Sequence, residues 1–422
     1  MTKKNRIKKQ PATPRDLLLE IYTEELPADY LKPAATQLVE DIKALLAEKN
    51  IKFASADSYY TVRRLVAHFK SVDIRQPDRT YEKKGPRYDM AYRDGSLTDI
   101  GRAFVEKNSL AEKDVKIKDE KGQKYLFASM FEKGLTLKKI LEESLPGIIA
   151  GIRFPKSMIW NDTGATFARP VRCILCMLAG KPVVFSFAGL KSGNLTRLHK
   201  FAASGKTVAV RDAAEYFEIM EKNGIILEQE KRKALIMEKA SAMLVKSGLK
   251  IIPDPGLLEM LASSVEAPAV MKGEFDKRYL SLPKEVIITA MREHQRYFAV
   301  SDFQGDFTNR FVNVMDGEGK LSAKVAPRHS KVLFARLNDA EFFYKEDLKK
   351  PLEECVPRLK EAVFITGLGT MYEKMERLKM LAASSAGMFG LTDTSKLQLA
   401  AYLCKADLMT NMVGEKEYAG LR

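Results

Sequence analysis

Side chains able to do chemistry at neutral pH are few in this sequence and widely scattered. Histidine occurs four times, at His68, His199, His294 and His329, and cysteine four times, at Cys173, Cys176, Cys355 and Cys404. None of them falls in an HExxH zinc motif, and the chain has neither a GxxxxGK[ST] phosphate loop nor a GxSxG nucleophile turn. Cys173 and Cys176 form a CxxC inside the apolar run RCILCML, with no second Cys or His pair nearby. That context predicts a buried pair of helix cysteines, not a metal or redox site. Glu24 and Glu25, beside Thr23, are adjacent carboxylates. Acid–base work needs two carboxyls held across a substrate with their pKa values driven apart. Neighbours following a strand splay away from each other, so these two are expected to cap the next helix or pair with a lysine. No catalytic residue and no metal ligand set is assigned to the chain.

The cationic clusters say more. Arg63 and Arg64 are placed in an exposed turn before a strand. Lys83, Lys84 and Arg87 surround Gly85-Pro86, which predicts a loop kept out of regular structure. Arg169 and Arg172 stand three apart at an expected helix start. Arg197 and Lys200 flank Leu198-His199, and Arg292, His294 and Arg296 lead into Tyr297-Phe298. Phosphates need fixed cationic donors, and unpaired bases need flat faces to stack on. Lys plus Arg number 70 against 55 Asp plus Glu, a formal charge of +15 that favours polyanionic partners. All twelve named cationic residues are therefore candidate RNA contacts. Arg336 is instead expected to pair with Asp339 or Glu341 inside the fold.

The elements that must carry these groups read as an α+β, multidomain chain: mixed α/β units followed by an all-helical region. With 422 residues and 45% hydrophobic content, there is ample material for more than one core. Residues 1–15 form a basic arm, expected to be disordered. Residues 16–204 read as an N-terminal α+β domain with a helical insertion near 90–150. It opens with a strand over Leu17–Tyr22, a helix over Tyr30–Asn50 and a strand around Thr61–Val72, a β-α-β beginning. Residues 73–95 read as a linker or exposed loop. A helix follows over Ser96–Asn108 with Ser96 or Thr98 as its cap, then a strand over Lys124–Phe131 and a helix over Thr136–Ile149. Residues 205–325 read as a second α+β domain ending in a hairpin around Gln304-Gly305-Asp306. Beyond Val325 strand signals vanish, and 326–422 reads as helical. No stretch approaches the roughly 18–20 apolar residues of a membrane span. The N-terminus lacks the apolar core of a secretory signal, and four cysteines suggest no disulfide scaffold, so a reducing cytoplasm is expected.

Motifs spread along the chain also resemble one known family. Leu18-Leu19-Glu20-Ile21-Tyr22-Thr23-Glu24-Glu25-Leu26-Pro27 is similar to the N-terminal signature of the β subunit of bacterial heteromeric glycyl-tRNA synthetase, with Tyr22 where the family usually has Gly. Thr61-Val62-Arg63-Arg64-Leu65 resembles its T-P-R-R-L, and Phe154-Pro155-Lys156-Ser157-Met158, Met291-Arg292-Glu293-His294-Gln295-Arg296-Tyr297-Phe298 and Ala335-Arg336-Leu337-Asn338-Asp339-Ala340-Glu341-Phe342-Phe343 follow in the family's order. Two places depart from the pattern: Leu198 stands where Gly is usual, and Arg328-His329-Ser330-Lys331-Val332 replaces Gly-Asn-Glu-Arg-Val. The resemblance covers the N-terminal part of the family's length. It implies a tRNA-binding subunit that positions tRNA(Gly) for ATP-dependent glycylation at the active site of a separate α subunit, in a hetero-oligomer (a heterotetramer). ATP and Mg are expected at the α subunit and no cofactor in this chain. The C-terminal helices, 326–422, resemble the family's HD-like region, and the anticodon-binding part is expected to lie outside this sequence. The alternatives are a stand-alone RNA-binding protein of the same ancestry and an HD-type phosphohydrolase. The latter lacks imidazole ligands, since no His follows His329.

Overall fold

A computed structural model describes residues 15–93, 95–120, 122–200, 206–317, 322–415 and 418. Residues 1–14 of the expected basic arm, 1–15, lie outside the described residues. The chain is α+β and divides into two compact units, residues 1–198 with 206–223, and residues 199–205 with 224–422.

The first unit is organised by β1 (Leu17–Thr23), in which every residue is buried. A largely apolar run of this kind, broken by the single carboxylate of Glu20, suits a central strand covered on both faces. Helix α1 (Ala28–Glu48) presents Leu31, Ala35, Leu38, Ile42 and Leu46 on one stripe. Strands β2 (Ser55–Thr61) and β3 (Arg64–Lys70) form a hairpin across the Val62-Arg63 turn. The expected single strand over Thr61–Val72 is thus a tight turn followed by one strand of a hairpin. β3 runs antiparallel to both β1 and β2, so β1 and β2 are parallel with β3 between them, a split form of the expected β-α-β.

The 73–95 segment is not a loop. Residues Arg79–Arg87 form β4. Helix α2 (Asp99–Lys107) is capped by the Thr98 side chain. Strands β5 (Val115–Glu120) and β6 (Gln123–Glu132) complete a three-stranded antiparallel sheet with β6 in the middle. Gly85-Pro86 marks a register shift between Lys84 and Arg87 and does not end the strand. Cross-strand pairing outweighed the local turn signal. A Cβ on Gly85 would lie 2.7 Å from the Phe104 ring, so glycine lets α2 approach β4 closely.

Helix α3 (Leu137–Ala150), capped by Thr136, joins α1 in the main core. Strand β7 (Val171–Leu178) lies beside β1. The five-stranded order is Lys181–Pro182, β7, β1, β3, β2. Helix was the expectation for the CxxC run and for the start at Arg169. Apolar runs this short are ambiguous, and here pairing with β1 decides for strand. Strands β8 (Leu195–Arg197) and β9 (Thr207–Ala209) pair with each other. Helix α4 (Ala213–Lys222), capped by Asp212, closes the unit. Odd-numbered β1 residues Leu17, Leu19 and Ile21 enter the core with α1 and α3. The even-numbered residues meet the other layer: Glu20 bonds Thr196 on β8, and His68, paired with Leu18, packs on Phe217 of α4.

The second unit holds helix α5 (Gln229–Val245), strand β10 (Leu249–Ile251), helix α6 (Pro255–Ser263) and strand β11 (Pro268–Glu274). Helix α7 (Lys284–Ala290), strands β12 (Phe298–Asp302) and β13 (Phe307–Asp316) and the long helix α8 (Ser322–Asp347) follow. The sheet order is β10-β12-β13-β11, antiparallel throughout. The expected β12–β13 hairpin is present, and Gly305 turns it at φ 101°. One sheet face packs Phe298, Val300 and Val312 on α5 and α6, and the other packs Tyr297, Ala299 and Phe311 with α7 and α8. Past α8 the chain is mainly helical, with α9 (Met371–Ser385) opened by a Thr370–Glu373 capping box. A small ladder, Val363–Ile365 with Gly369–Thr370, corrects the expectation that no strand follows Val325. The side chain of Asp347 accepts from the backbone N–H groups of Asn411 and Met412 and so fixes the last described helical turn to α8.

Candidate nucleic-acid interface

At the end of the first unit's sheet, β1 runs out beside the β2–β3 turn and the start of β7. The N–H of Thr23 donates to the carbonyl of Arg63 at 2.8 Å, and that of Leu26 to Val62 at 2.8 Å. These bonds hold Glu24 and Glu25 against the turn. Arg63 donates from Nη1 to Glu24 Oε2 at 2.8 Å and from Nη2 to Glu25 Oε1 at 2.7 Å. Arg172 of β7 donates from Nε to the other Glu24 oxygen at 2.9 Å. The two carboxylates are thus held by arginines, not by a lysine or a helix cap.

Arg64 sits one layer deeper, with no exposed surface. Its Nη1 donates to Glu20 Oε1 at 2.5 Å and to Thr196 Oγ1 at 3.2 Å, and its Nη2 to the Arg197 carbonyl at 2.5 Å. Thr196 Oγ1 donates to the second Glu20 oxygen at 2.6 Å. The guanidinium carbon of Arg64 lies 4.8 Å from the Tyr22 ring centroid, and that of Arg197 lies 6.0 Å from the same ring. A buried charge persists only when paired and hydrogen-bonded, and this network supplies both. The expectation that Arg63 and Arg64 occupy an exposed turn is therefore corrected. Their side chains are 4% and 0% exposed and brace β1, β3 and β8. A phosphate reaches Arg64 only if the network opens. Glu20, the one charged residue in the apolar run of β1, and Thr196 are its partners, and nothing local in the sequence pairs them with Arg64.

Glu24 is held below its ordinary value of 4.5, first by the Arg63 hydrogen bond and then, against a smaller desolvation effect, by Arg172. It is therefore anionic at neutral pH and not placed to donate a proton. Its folded pKa lies below its unfolded pKa, so the stability it contributes is present above the unfolded value and disappears as pH falls through the folded one. Glu24→Gln is expected to be less stable than the parent at neutral pH, with the gap closing under acid. Urea midpoints measured across that pH range check this.

Cys173 and Cys176 lie on opposite faces of β7, since an odd separation on a strand reverses the side-chain direction. They form neither a ligand pair nor a redox pair. Burial, then the Glu20 charge, pushes the Cys173 thiol up to about 11, and burial raises Cys176 as well. Cys404 is exposed. Iodoacetamide at pH 8 is expected to label Cys404 first and leave the β7 pair unmodified until the chain unfolds, as read by peptide mass spectrometry.

The remaining candidates, Lys200 apart, fall into three groups. Arg169 and Arg172 are exposed at the start of β7, and Arg197 is half-buried beside Tyr22. On the β4–β6 sheet, Lys83 donates to Asn108, Lys84 to Glu120 and Arg87 to Asp89. Lys200 is exposed. The third group lies in the second unit. There α7 runs into a single π turn, Met291–Gln295, and Arg296 follows in the left-handed region at φ 55° and ψ 46°. This turn sends Tyr297 inward and leaves Arg292 and Arg296 exposed, with His294 half-buried. Tyr297 stacks on Phe311 at 4.5 Å, and its hydroxyl lies 2.5 Å from His329 Nδ1. Burial raises Tyr297 and lowers His329, so both are neutral at pH 7 and wedge the corner without charge. Arg292 Nε lies 3.4 Å from Asp254 and 3.6 Å from Glu293. Arg296 has no carboxylate partner among the described residues. Left-handed backbone at a non-glycine residue costs about 1–2 kcal/mol and collects at functional corners. Arg336 and Asp339 line one small pocket with Phe343, Glu415 and Tyr418.

Among the described residues no group of three or more His, Cys, Asp or Glu side chains is disposed to hold a metal ion. No described helix is long and apolar enough to cross a membrane.

Comparison with known proteins agrees with the motif order. The family described as glycyl-tRNA synthetase beta subunit matches residues 17–421. The chain is 38% identical over 403 residues to the glycine–tRNA ligase beta subunit of Desulforudis audaxviator, covering 95% of this chain and 58% of that protein. It is 38% identical over 414 residues to that of Clostridioides difficile, covering 96% and 60%. With that of Moorella thermoacetica the identity is 36% over 404 residues, covering 95% and 58%. The chain thus spans about 58–60% of the length of these relatives and corresponds to their N-terminal part. By the match over residues 17–421, the chain belongs to the glycyl-tRNA synthetase beta subunit family.

Proposed function

We propose that the chain grips tRNA(Gly) in the cytoplasm and holds it for ATP-dependent glycylation at the active site of a separate α subunit. ATP and Mg act at that α subunit. The observation that carries this reading is family membership over nearly the whole chain, and the +15 charge is in keeping with a polyanionic partner. The role is one of positioning. Fixing the acceptor end against a preformed site converts an encounter into a nearly unimolecular step, an effect of roughly 7–11 kcal/mol at best. Exposed cations suited to the grip are Arg169 and Arg172 in the first unit and Arg292 and Arg296 in the second. Arg63 and Arg64 serve by keeping the sheet end in shape.

The test is glycine-dependent pyrophosphate exchange and tRNA glycylation with the purified chain, alone and with an α subunit. The expected result is no exchange alone, salt-sensitive tRNA binding, and glycylation only when the α subunit is added. Exchange by the chain alone overturns the reading. Capture of RNA without any association with an α subunit would instead indicate a stand-alone RNA-binding protein.

A further inference from the structure

The three-stranded sheet β4–β6–β5 has one face on which aromatic rings and lysines alternate. Residues two apart on a strand share a face, about 7 Å apart. On the central strand β6 these are Tyr125, Phe127, Ser129 and Phe131. Register places Lys118 opposite Tyr125, Lys116 and Lys84 on either side of Phe127, and Thr80 opposite Phe131. The contacts agree: Lys84 Nζ lies 3.6 Å from the Tyr125 ring centroid and Lys118 Nζ 5.5 Å from that of Phe127. Phe131 is 67% exposed and Tyr125 is half-buried, while Phe127 between them is buried, with Lys118 over its ring. The opposite face carries Leu126 and Ala128, both fully buried. The aromatic face is therefore the outer one.

We infer that this face is a platform for an unpaired stretch of RNA, whose bases stack on Tyr125 and Phe131 while Lys84, Lys116 and Lys118 meet its phosphates. Two anions share the face. Glu120 holds Lys84, and Glu82 holds Lys118. All four side chains of these pairs are at least 40% exposed, and exposed pairs of this kind contribute little and exchange readily for a phosphate. Lys116 feels the Glu82 charge but makes no direct ion pair with it. The ammonium over Tyr125 is a weaker occupant of that ring than a stacked base, because an exposed cation–π contact is the smaller of the two effects. A base displaces it sideways, toward the backbone of its own nucleotide. An apolar protein partner is the poorer fit, since it would have to bury these lysines and glutamates. Stacking tolerates any base, so the face selects for unpaired RNA and not for sequence.

The inference rests on the RNA-gripping reading, and two probes separate their fates. Anisotropy of a short fluorescein-labelled oligouridylate and of a tRNA(Gly) transcript is measured with the whole chain. The expected result is that both bind. Phe131→Ala and Tyr125→Ala each weaken the oligouridylate by about 5- to 100-fold, while Tyr125→Phe keeps it. Lys116→Ala reduces the slope of log affinity against log salt by roughly 0.7. If tRNA binds and oligouridylate does not, the platform is overturned and the grip stands. If neither binds, both fall. If oligouridylate binds with the aromatic variants unchanged, the platform is overturned. Phe131 lies on the surface, so its loss leaves the fold intact, and circular dichroism of each variant verifies that.

Discussion

Arg64→Ala is expected to lower the stability of the first unit by roughly 3–5 kcal/mol, the cost of breaking a buried ion pair by removing one partner. The substitution leaves Glu20, 1% exposed, as a buried carboxylate, and the Arg197 carbonyl loses its 2.5 Å donor. Thr196 still bonds Glu20, but one hydroxyl does not neutralise a charge. Replacing both partners, Glu20→Leu with Arg64→Met, is expected to recover part of the loss, because the desolvation penalty of the carboxylate goes with it. Trp160, the single tryptophan, packs against the first unit's core and reports that unit's unfolding in urea. RNA affinity of the double variant, measured where it is still folded, should match the parent in size and salt slope. A clear fall in the slope would return Arg64 to the list of phosphate contacts. A loss below 1 kcal/mol for Arg64→Ala would mean that the network is not closed as described.

Arg296→Gly should act in opposite directions on stability and on binding. Glycine adopts φ 55° without a Cβ penalty. It relieves about 1–2 kcal/mol of strain, set against the entropy that glycine adds to the unfolded chain, for a net gain of roughly 0.5–1 kcal/mol. The same change removes an exposed guanidinium from the corner after α7. Affinity for tRNA(Gly) is expected to fall about 5- to 10-fold near 0.15 M salt, with the salt slope reduced by roughly 0.7–0.9. Arg292→Ala in the same background should lower the slope again, by less, since Asp254 and Glu293 already compete for that side chain. A more stable protein with unchanged RNA affinity would show that the strained corner serves packing of Tyr297 alone. Calorimetry and an anisotropy titration at several salt concentrations decide between the two.

Local information was enough for the parts of this protein that local physics governs. The apolar run of β1, the three-and-four spacing of α1, the cap of α2 narrowed to Ser96 or Thr98, the helix opening at Thr136 and the turn at Gln304–Asp306 are all legible without coordinates, because each depends on residues within a few positions of one another. The motif order from Leu18 to Phe343 carried the family, and the pattern of elements carried the α+β class. The fate of the charges was not legible. Arg64 finds Glu20 44 residues away and Thr196 132 residues away, and Arg63 finds Glu24 39 residues away. A sequence displays charge and spacing, but only the packed sheet brings an arginine to its carboxylate and takes both out of water. The same holds for β4, where Gly85-Pro86 signalled a loop and pairing with β6 imposed a strand, and for the CxxC run, where pairing with β1 set two cysteines on opposite faces. Alternation of Tyr125, Phe127 and Phe131 was present in the string all along. Which side of that strand meets solvent was decided only when the layer carrying Leu126 and Ala128 was buried, because burial is a property of the assembled layers and not of any one of them.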